Sequence, residues 1–309
     1  MRALVTGAGG FVGRFLVQRL RDQGHDVFAA GGPREEGMPA VDVLDPLAMH
    51  ALFDLARPDA VFHLAAQAFV PQALRAPGET YAVNITGTAN VLAAMREWCA
   101  RAKQHVRLIF TSSGEVYGAV DASSLPLRET VAPNPGNPYA ASKAAAEAIV
   151  RGEVRSFGVD AILTRAFNHI GPGQDTRFAV ASFASQLAGI ARGGDPVLHV
   201  GNLDSSRDFL DVRDVVEAYV QLAERGRSGE TYNVCSGSPI RMREMLRMLI
   251  EIAHVPVHVR DDPERMRPSD VPVAYGDNTK LRRDTGWSPK IPLRQSLQDV
   301  YAAAQAAAA

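Results

Sequence analysis

The sequence predicts an α/β fold: a doubly wound parallel sheet, with a smaller, discontinuous α+β lobe closing over the ends of its strands. Three observations lead there. Residues 6–13 read TGAGGFVG, a Gly-rich turn between a short apolar run and a helical pattern. Strand and helix patterns then alternate to about residue 165, as expected of parallel strands joined by helices on both faces. After Arg165 the texture changes to FNHIGPGQDTRF, a loop rich in Gly, Pro and polar groups. Together they describe a Rossmann-type sheet, in which ligands bind beyond the carboxyl ends of the strands.

The first strand is RALVT at 2–6, and a helix follows over 11–23 on the apolar positions Phe11, Val12, Phe15, Leu16 and Leu20. Gly7, Gly10 and Gly13 stand at three-residue spacing between them. A strand, a Gly-rich turn and a helix start form a dinucleotide cradle. The glycines let backbone approach the pyrophosphate, and the helix N-terminus offers free N–H groups and partial positive charge. Gly7, Gly10, Phe11, Val12 and Gly13 are therefore candidate cofactor contacts. The second strand, 26–30, ends at Gly31-Gly32-Pro33-Arg34. An acidic residue there would bond the ribose hydroxyls of NAD. With no carboxylate among those four residues to repel a ribose phosphate, and Arg34 to bind one, the chain leans towards NADP(H), with NAD(H) the alternative. A short strand at 40–43 closes on Asp42 and Val43, placed to meet the adenine.

A helix over 46–56 leads to the strand at 60–65, which ends His63-Leu64-Ala65-Ala66. The small residues Ala65 and Ala66, with Leu64, let this backbone pass close to the cofactor. His63 reads as a packed, hydrogen-bonded core histidine. Helical patterns follow at 72–75 and 80–103, then a strand at 106–112, a helix at 138–157 and a strand at 160–164. Beyond the loop come a helical segment at 178–193, the run PVLHVGN, and a helix and strand at 209–223 and 231–234 that return to the sheet. The expected domains are 1–165 with 208–234 returning to it, and a lobe made of 166–207 and 235–309.

The chemistry lies at the end of the 106–112 strand and on the helix after it. A hydroxyl there, Ser113 with Ser112 the near alternative, sits where a substrate would lie. Tyr139 and Lys143 are four residues apart on the helix, so they face the same way. A phenol has an unperturbed pKa near ~10, and a nearby ammonium is expected to lower it. Serine and tyrosine can then bond one carbonyl oxygen, with the tyrosine giving its proton as hydride reaches the carbon. The lysine can also hold the nicotinamide ribose.

The bulk numbers exclude other classes. With 309 residues the chain fits one large domain or two intimate ones, and 46% hydrophobic residues supply a full core. A net charge of −1 gives no electrostatic case for nucleic acid or an anionic membrane. Cys99 and Cys235 imply no disulfide framework and no metal site, and suit a reducing cytoplasm. No apolar run is long enough to span a bilayer and no signal-peptide pattern precedes the first strand, so a cytoplasmic location is expected.

On TGAGGFVG, HLAA at 63–66, Asn84 in NITGTANVL, Ser113, Tyr139 and Lys143, the chain resembles the extended short-chain dehydrogenase/reductase family of nucleotide-sugar epimerases, dehydratases and reductases. The resemblance covers essentially the whole chain. It implies that Asn84 lies near the cofactor, and a homodimer formed through a four-helix bundle of 80–103 and 138–157. RAFNHIGPGQ, VGNLDSSRDFLDVRDV, YNVCSG and DPERMRPSDV resemble the branch that acts on GDP-sugars. In that reading Arg207 and Arg267 pair with the pyrophosphate, Asn168 bonds a phosphate or sugar oxygen, and the Gly201-Asn202 turn lets backbone approach the base or ribose.

The wording SSRDFLDV is that of the branch's 4-keto-6-deoxysugar reductases, which implies reduction at carbon 4. Glu115 keeps a 4,6-dehydratase open, since such enzymes need a carboxylate to take a proton from carbon 5. Those of the glucose type carry an Asp-Glu pair, and Gly114 stands at the Asp position here. A non-catalytic NADP-binding sensor is the alternative of another class.

Overall fold

The computed structural model describes residues 1–32, 38–266 and 271–308. Six parallel strands make the large sheet, in the order β2 (Asp26–Ala30), β1 (Arg2–Thr6), β3 (Ala60–His63), β4 (Arg107–Ser113), β5 (Asp160–Ala166) and β9 (Thr231–Val234). Every residue of β3, β5 and β9 is buried, as both-face coverage demands. On one face α1 (Phe11–Asp22) and α8 (Val212–Arg225) place Leu16, Leu20, Val215 and Tyr219 against Val5, Phe62 and Ile162. On the other, α2 (Pro46–Ala56), α5 (Gly87–Ala102) and α6 (Pro138–Phe157) pack Phe53, Leu92 and Val150 against Leu4, Phe110 and Leu163.

The chain enters α5 through two short helices, α3 (Val70–Arg75) and α4 (Pro77–Tyr81), and a π-helical turn over Ala82–Thr86. The helix that bears Tyr139 and Lys143 has a strong start and a sharp stop. Asn137 caps α6 by accepting from the Ala140 N–H at 2.9 Å, Pro138 opens its first turn, and Gly158 ends it in the left-handed region.

The lobe is built on β8 (Ser206–Asp211). This strand pairs with β6 (Asn168–Ile170) and β12 (Val273–Ala274) in parallel and with β10 (Pro239–Arg241) antiparallel. A separate parallel pair joins β7 (Val197–Val200) to β11 (His258–Asp261). Three helices close its own core: α7 (Ala179–Ala191), α9 (Met242–Ala253) and α11 (Leu293–Ala308), through Phe183, Leu187, Leu246, Leu249 and Leu297.

Three expectations change. The segment at 40–43 is no strand. Ala40 makes one isolated bridge to Gly31, and the Asp42 carboxylate instead accepts from the Leu44 N–H at 2.9 Å, turning the chain. The return to the large sheet starts at α8, since β8 belongs to the lobe. Part of the expected lobe also lies in the large core: α10 (Thr279–Thr285) buries Leu281 there, with Trp287 beyond it, whose indole N–H donates to the Asp214 carbonyl at 3.0 Å.

Candidate active site

The carboxyl ends of β1, β3 and β4 meet the N-termini of α1 and α6, and the site grows from those ends. Gly7 has φ +69°, and a Cβ on it would lie 2.7 Å from the Ala65 backbone nitrogen. The turn after β1 and the Leu64-Ala65 backbone after β3 are therefore in contact, a closeness only glycine permits. Gly13 packs equally tightly, since a Cβ there would stand 2.2 Å from the Gly7 carbonyl. Gly10 is open but for that same carbonyl, and it leads into an α1 N-terminus that no side chain caps and whose first turn holds no acidic residue. Bare N–H groups above a glycine floor fit the pyrophosphate of a dinucleotide.

His63 organises the ground beneath. Its Nδ1 lies 2.8 Å from the Thr6 hydroxyl and its Nε2 3.2 Å from that of Thr88. Thr88 already donates to the Asn84 carbonyl at 2.7 Å, so it accepts from Nε2–H, and Nδ1 accepts from Thr6. Burial, with the Lys143 charge adding to it, pushes this imidazole down to about 3. It is a neutral structural hub.

Asn84 is buried in the π turn. Its amide accepts from the Gln67 N–H at 2.8 Å and donates to the Gln67 carbonyl at 3.0 Å and to Ser142 Oγ at 2.8 Å. Ser142 in turn donates to the Tyr139 carbonyl at 2.7 Å. Asn84 thus ties the loop after β3 to the first turns of α6, and π turns of this kind recur at functional sites.

Ser112 and Ser113 take opposite directions from β4, as neighbours on a strand must. Ser112 Oγ donates to the buried Glu147 carboxylate at 2.7 Å. Ser113 faces the site, where its Oγ accepts from the Glu115 N–H at 3.1 Å. The alternation thus turns Ser113, and not Ser112, towards Tyr139. Lys143 is buried and donates to the Thr111 carbonyl at 2.8 Å. Burial lowers its pKa to about 8, although Glu147 pulls it up.

Tyr139 departs from expectation. Burial pushes it up to about 12, with the Ser113 hydroxyl pulling down and the Glu115 charge pushing up. The expected lowering does not set the balance in this structure, because burial opposes the charged phenolate more strongly. At neutral pH the phenol is protonated. Glu115 accepts from Asn137 Nδ2 at 3.3 Å. A Cβ at Gly114 would stand 3.1 Å from the Phe167 ring, so this position has no room for a second acid without moving that ring.

On the lobe side, Asn168 is exposed at the start of β6. Arg207 is half-buried on β8 and donates to the Ser206 carbonyl at 2.9 Å. Gly201 supports a close approach, but of the Arg265 carbonyl, 2.5 Å from its would-be Cβ. Asn202 accepts from the Asp204 N–H at 2.9 Å in the turn that follows. Val43 packs on Gly87 and accepts from Asn90 at its carbonyl at 2.9 Å. Ala66 and Val12 are half-buried. Arg34 and Arg267 lie outside the described residues.

Several contacts are invisible to sequence reasoning. The Phe11 ring stacks on His169 with centroids 6.1 Å apart, and Phe69 meets Phe178 edge-on at 5.8 Å. Each pair joins the sheet domain to the lobe across the site. Nothing in the local pattern reveals a partner so distant in sequence. The Glu147–Arg165 pair does leave a signal: an arginine that follows the apolar run Ala161–Leu163 inside β5, a strand buried throughout.

Fold and site together define an extended short-chain dehydrogenase/reductase. The chain belongs to the GDP-mannose 4,6 dehydratase family, which residues 34–300 match. It is 41% identical to GDP-6-deoxy-D-mannose reductase of Pseudomonas aeruginosa, over 97% of this chain and 95% of that one. It is 32% identical to GDP-6-deoxy-D-talose 4-dehydrogenase of Aggregatibacter actinomycetemcomitans, over 97% of each. Among solved structures, RMD from Pseudomonas aeruginosa complexed with NADPH superposes with a TM-score of 0.89 at 38% identity, over 99% of this chain and 100% of that one. The UDP-glucose 4-epimerase of Thermus thermophilus in complex with NAD gives 0.88 at 31% identity, over 99% and 100%.

Proposed function

We propose that the protein reduces the 4-keto group of GDP-4-keto-6-deoxy-D-mannose to GDP-D-rhamnose, with NADPH as hydride donor and NADH as the alternative. The observation that supports it most is Tyr139, a protonated phenol beside Ser113 on a chain so similar to a GDP-6-deoxy-D-mannose reductase. Reduction of a ketone consumes one proton and one hydride. The reduced nicotinamide cofactor, when bound, supplies the hydride. Gly7, Gly10 and the α1 N-terminus hold its pyrophosphate, Leu64, Ala65 and Ala66 line its path, and Lys143 meets its ribose. Ser113 Oγ donates to the keto oxygen and orients it. Tyr139 gives its proton to that oxygen, and the Lys143 ammonium steadies the phenolate left behind. Arg207 and Asn168 hold the diphosphate and sugar from the lobe.

The experiment is to supply GDP-4-keto-6-deoxymannose with each reduced cofactor, follow absorbance, and identify the product by NMR. Stoichiometric cofactor consumption with GDP-D-rhamnose formed is expected. A dehydratase recycles its cofactor and shows no net consumption, and a sensor binds without turnover. Glu115 favours the dehydratase as second reading, because its carboxylate lies close enough to act on Tyr139.

The working unit in this reading is a homodimer, with α5 and α6 forming a four-helix bundle with their copies. Ala141, Ala145, Ala148 and Gly152 follow one another along α6 at partly open positions, and Phe157 is 60% exposed at its end. Light scattering on the purified chain tests it. Both cysteines are free thiols, in keeping with a reducing, cytoplasmic setting. No helix among the described residues is long and apolar enough to cross a membrane.

A further inference from the structure

Glu147, Arg165 and Ser112 form a ring beneath the site, closed by hydrogen bonds through the Glu147 carboxylate and by the pairing of β4 with β5. Glu147 stands on α6, one turn beyond Lys143 and two beyond Tyr139. Its Oε1 accepts from Ser112 Oγ at 2.7 Å and from Arg165 Nε at 2.9 Å, and its Oε2 accepts from Arg165 Nη2 at 2.7 Å. Ser112 and Arg165 are register partners on β4 and β5. All three are buried, with exposures of 5% for Ser112, 2% for Glu147 and 1% for Arg165. The Arg165 guanidinium also covers the Tyr117 ring at 4.6 Å, and Tyr117 donates to Asn233 on β9 at 2.7 Å.

A buried ion pair is a poor source of stability, because apolar residues of the same volume often do as well or better. What such a ring does supply is geometry. Ala146 and Val150 also hold α6 on the sheet, but apolar contact alone is non-directional and tolerates a small slide. A three-cornered ring of directional bonds between α6, β4 and β5 does not. Its corner on β4 is placed tellingly. Ser112 lies between Thr111, whose carbonyl accepts from Lys143, and Ser113, which faces Tyr139.

We propose that the Ser112–Glu147–Arg165 ring is a positioning clamp for the reaction: it sets α6 against the end of β4 so that Lys143 meets the Thr111 carbonyl and Tyr139 faces Ser113. The three are positioning residues, acting through the groups that touch the substrate. The inference rests on the reading of Ser113, Tyr139 and Lys143 as the reductive set.

The test replaces the ion pair by apolar residues of similar size, Glu147→Met with Arg165→Met, which removes the clamp with no change in net charge. Half-exposed Arg151, 3.5 Å from Glu147, can turn to solvent, and Lys143 loses the charge that raises it, a loss that Ser112→Ala does not share. The double variant is expected to keep its Tm and NADPH affinity. Its KM should stay within about twofold while kcat falls ~10–100-fold, the effect of a small misplacement at the reacting centre. Ser112→Ala, which leaves the ion pair whole, should lower kcat less and in the same direction, and Ser112→Thr, which restores the hydroxyl, should recover it.

A stable double variant with wild-type kcat overturns the clamp. Should the double variant fail to fold, Ser112→Ala decides, and wild-type kcat there overturns it too. A crystal structure of either variant gives a readout free of any substrate: Lys143 still bonded to Thr111 and Tyr139 still facing Ser113 also overturn the clamp. Failure of the wild-type chain to reduce the keto sugar instead overturns the preceding functional reading, and the variant structure then still decides the clamp.

Discussion

The two sides of the cleft are built differently. On the sheet side the polar groups are answered from within the protein: Lys143 by Thr111, Asn84 by Gln67 and Ser142, His63 by Thr6 and Thr88, all at 2.8–3.2 Å. On the lobe side Asn168 is exposed and Arg207 half-buried on a strand of a small sheet. Groups wired from within are held before the substrate arrives, which is what a reaction step needs. Asn168 and Arg207 keep part of their surface open for a ligand to meet. Truncations on the sheet side should therefore cost rate, and truncations on the lobe side should cost affinity.

Tyr139→Phe should break the sheet side most severely. It removes the proton donor and leaves the ring, and loss of general acid work costs ~10²–10⁴ in rate. Cofactor affinity, measured by fluorescence titration, should be unchanged. A variant with near wild-type turnover would take Tyr139 out of the mechanism.

Arg207→Ala sharpens the contrast from the other side. Losing one charge-assisted contact costs roughly 1.5–3 kcal/mol, to be read as weaker GDP binding by calorimetry with NADPH binding intact. The opposite pattern, intact GDP binding and lost NADPH binding, would place Arg207 on the cofactor and undo the comparison.

The same division governs what the sequence discloses. The Gly-rich turn and the Tyr139–Lys143 spacing are local patterns, legible because their geometry follows from one strand and one helix. The alternation that turns Ser113 and Ser112 opposite ways is equally local, but the strand's facing needs β5 and its Arg165. A strand at 40–43 does not form because Asp42 satisfies the backbone by a turn that competes with sheet pairing. The return of α10 and Trp287 to the large core, the aromatic pairs across the cleft and the Glu147 ring all depend on partners far away in the chain. The lobe is legible through resemblance rather than pattern. Its Gly201 serves the Arg265 backbone, a contact no spacing reveals.

The pH dependence tests the wiring of Lys143. Burial holds it near about 8, and the groups facing it are Glu147, which raises it, and neutral His63, which does not. The ammonium stabilises the phenolate that proton transfer leaves. The kcat/KM for reduction should be level through neutral pH and fall ~10-fold per pH unit above this value as the lysine loses its proton. For stability the sign is opposite. Below about 8 both folded and unfolded chains hold the proton, and the folded one bears the cost of the buried charge. Between about 8 and 10.5 only the unfolded chain holds it, so this site's contribution to stability rises with pH. Lys143→Met should abolish that rise in denaturant titrations, and an unchanged slope would mean that the lysine is solvated.

Glu115→Gln should have the smallest effect, because it asks whether the sheet side holds one acid or two. Eliminating water from GDP-mannose needs oxidation at carbon 4, loss of water across carbons 5 and 6, and return of the hydride to carbon 6. The middle step needs a base at carbon 5 and a group that assists the departing hydroxyl. Glu115 lies in the site, yet its carboxylate is engaged by Asn137, and a side chain at Gly114 would press on the Phe167 ring. Direct reduction needs only Ser113, Tyr139 and a hydride. Glu115→Gln should therefore lower reduction of the keto sugar by no more than about fivefold, the worth of one hydrogen bond of roughly 0.5–1 kcal/mol. With GDP-mannose and catalytic NADP⁺, mass spectrometry should find no steady build-up of the product that has lost water. Accumulation of that product by the wild-type chain, abolished by Glu115→Gln, would make Glu115 the base at carbon 5. The sheet side would then be organised for elimination, and Tyr139, as the phenolate, would serve the opening oxidation as a base instead of a ketone reduction as an acid.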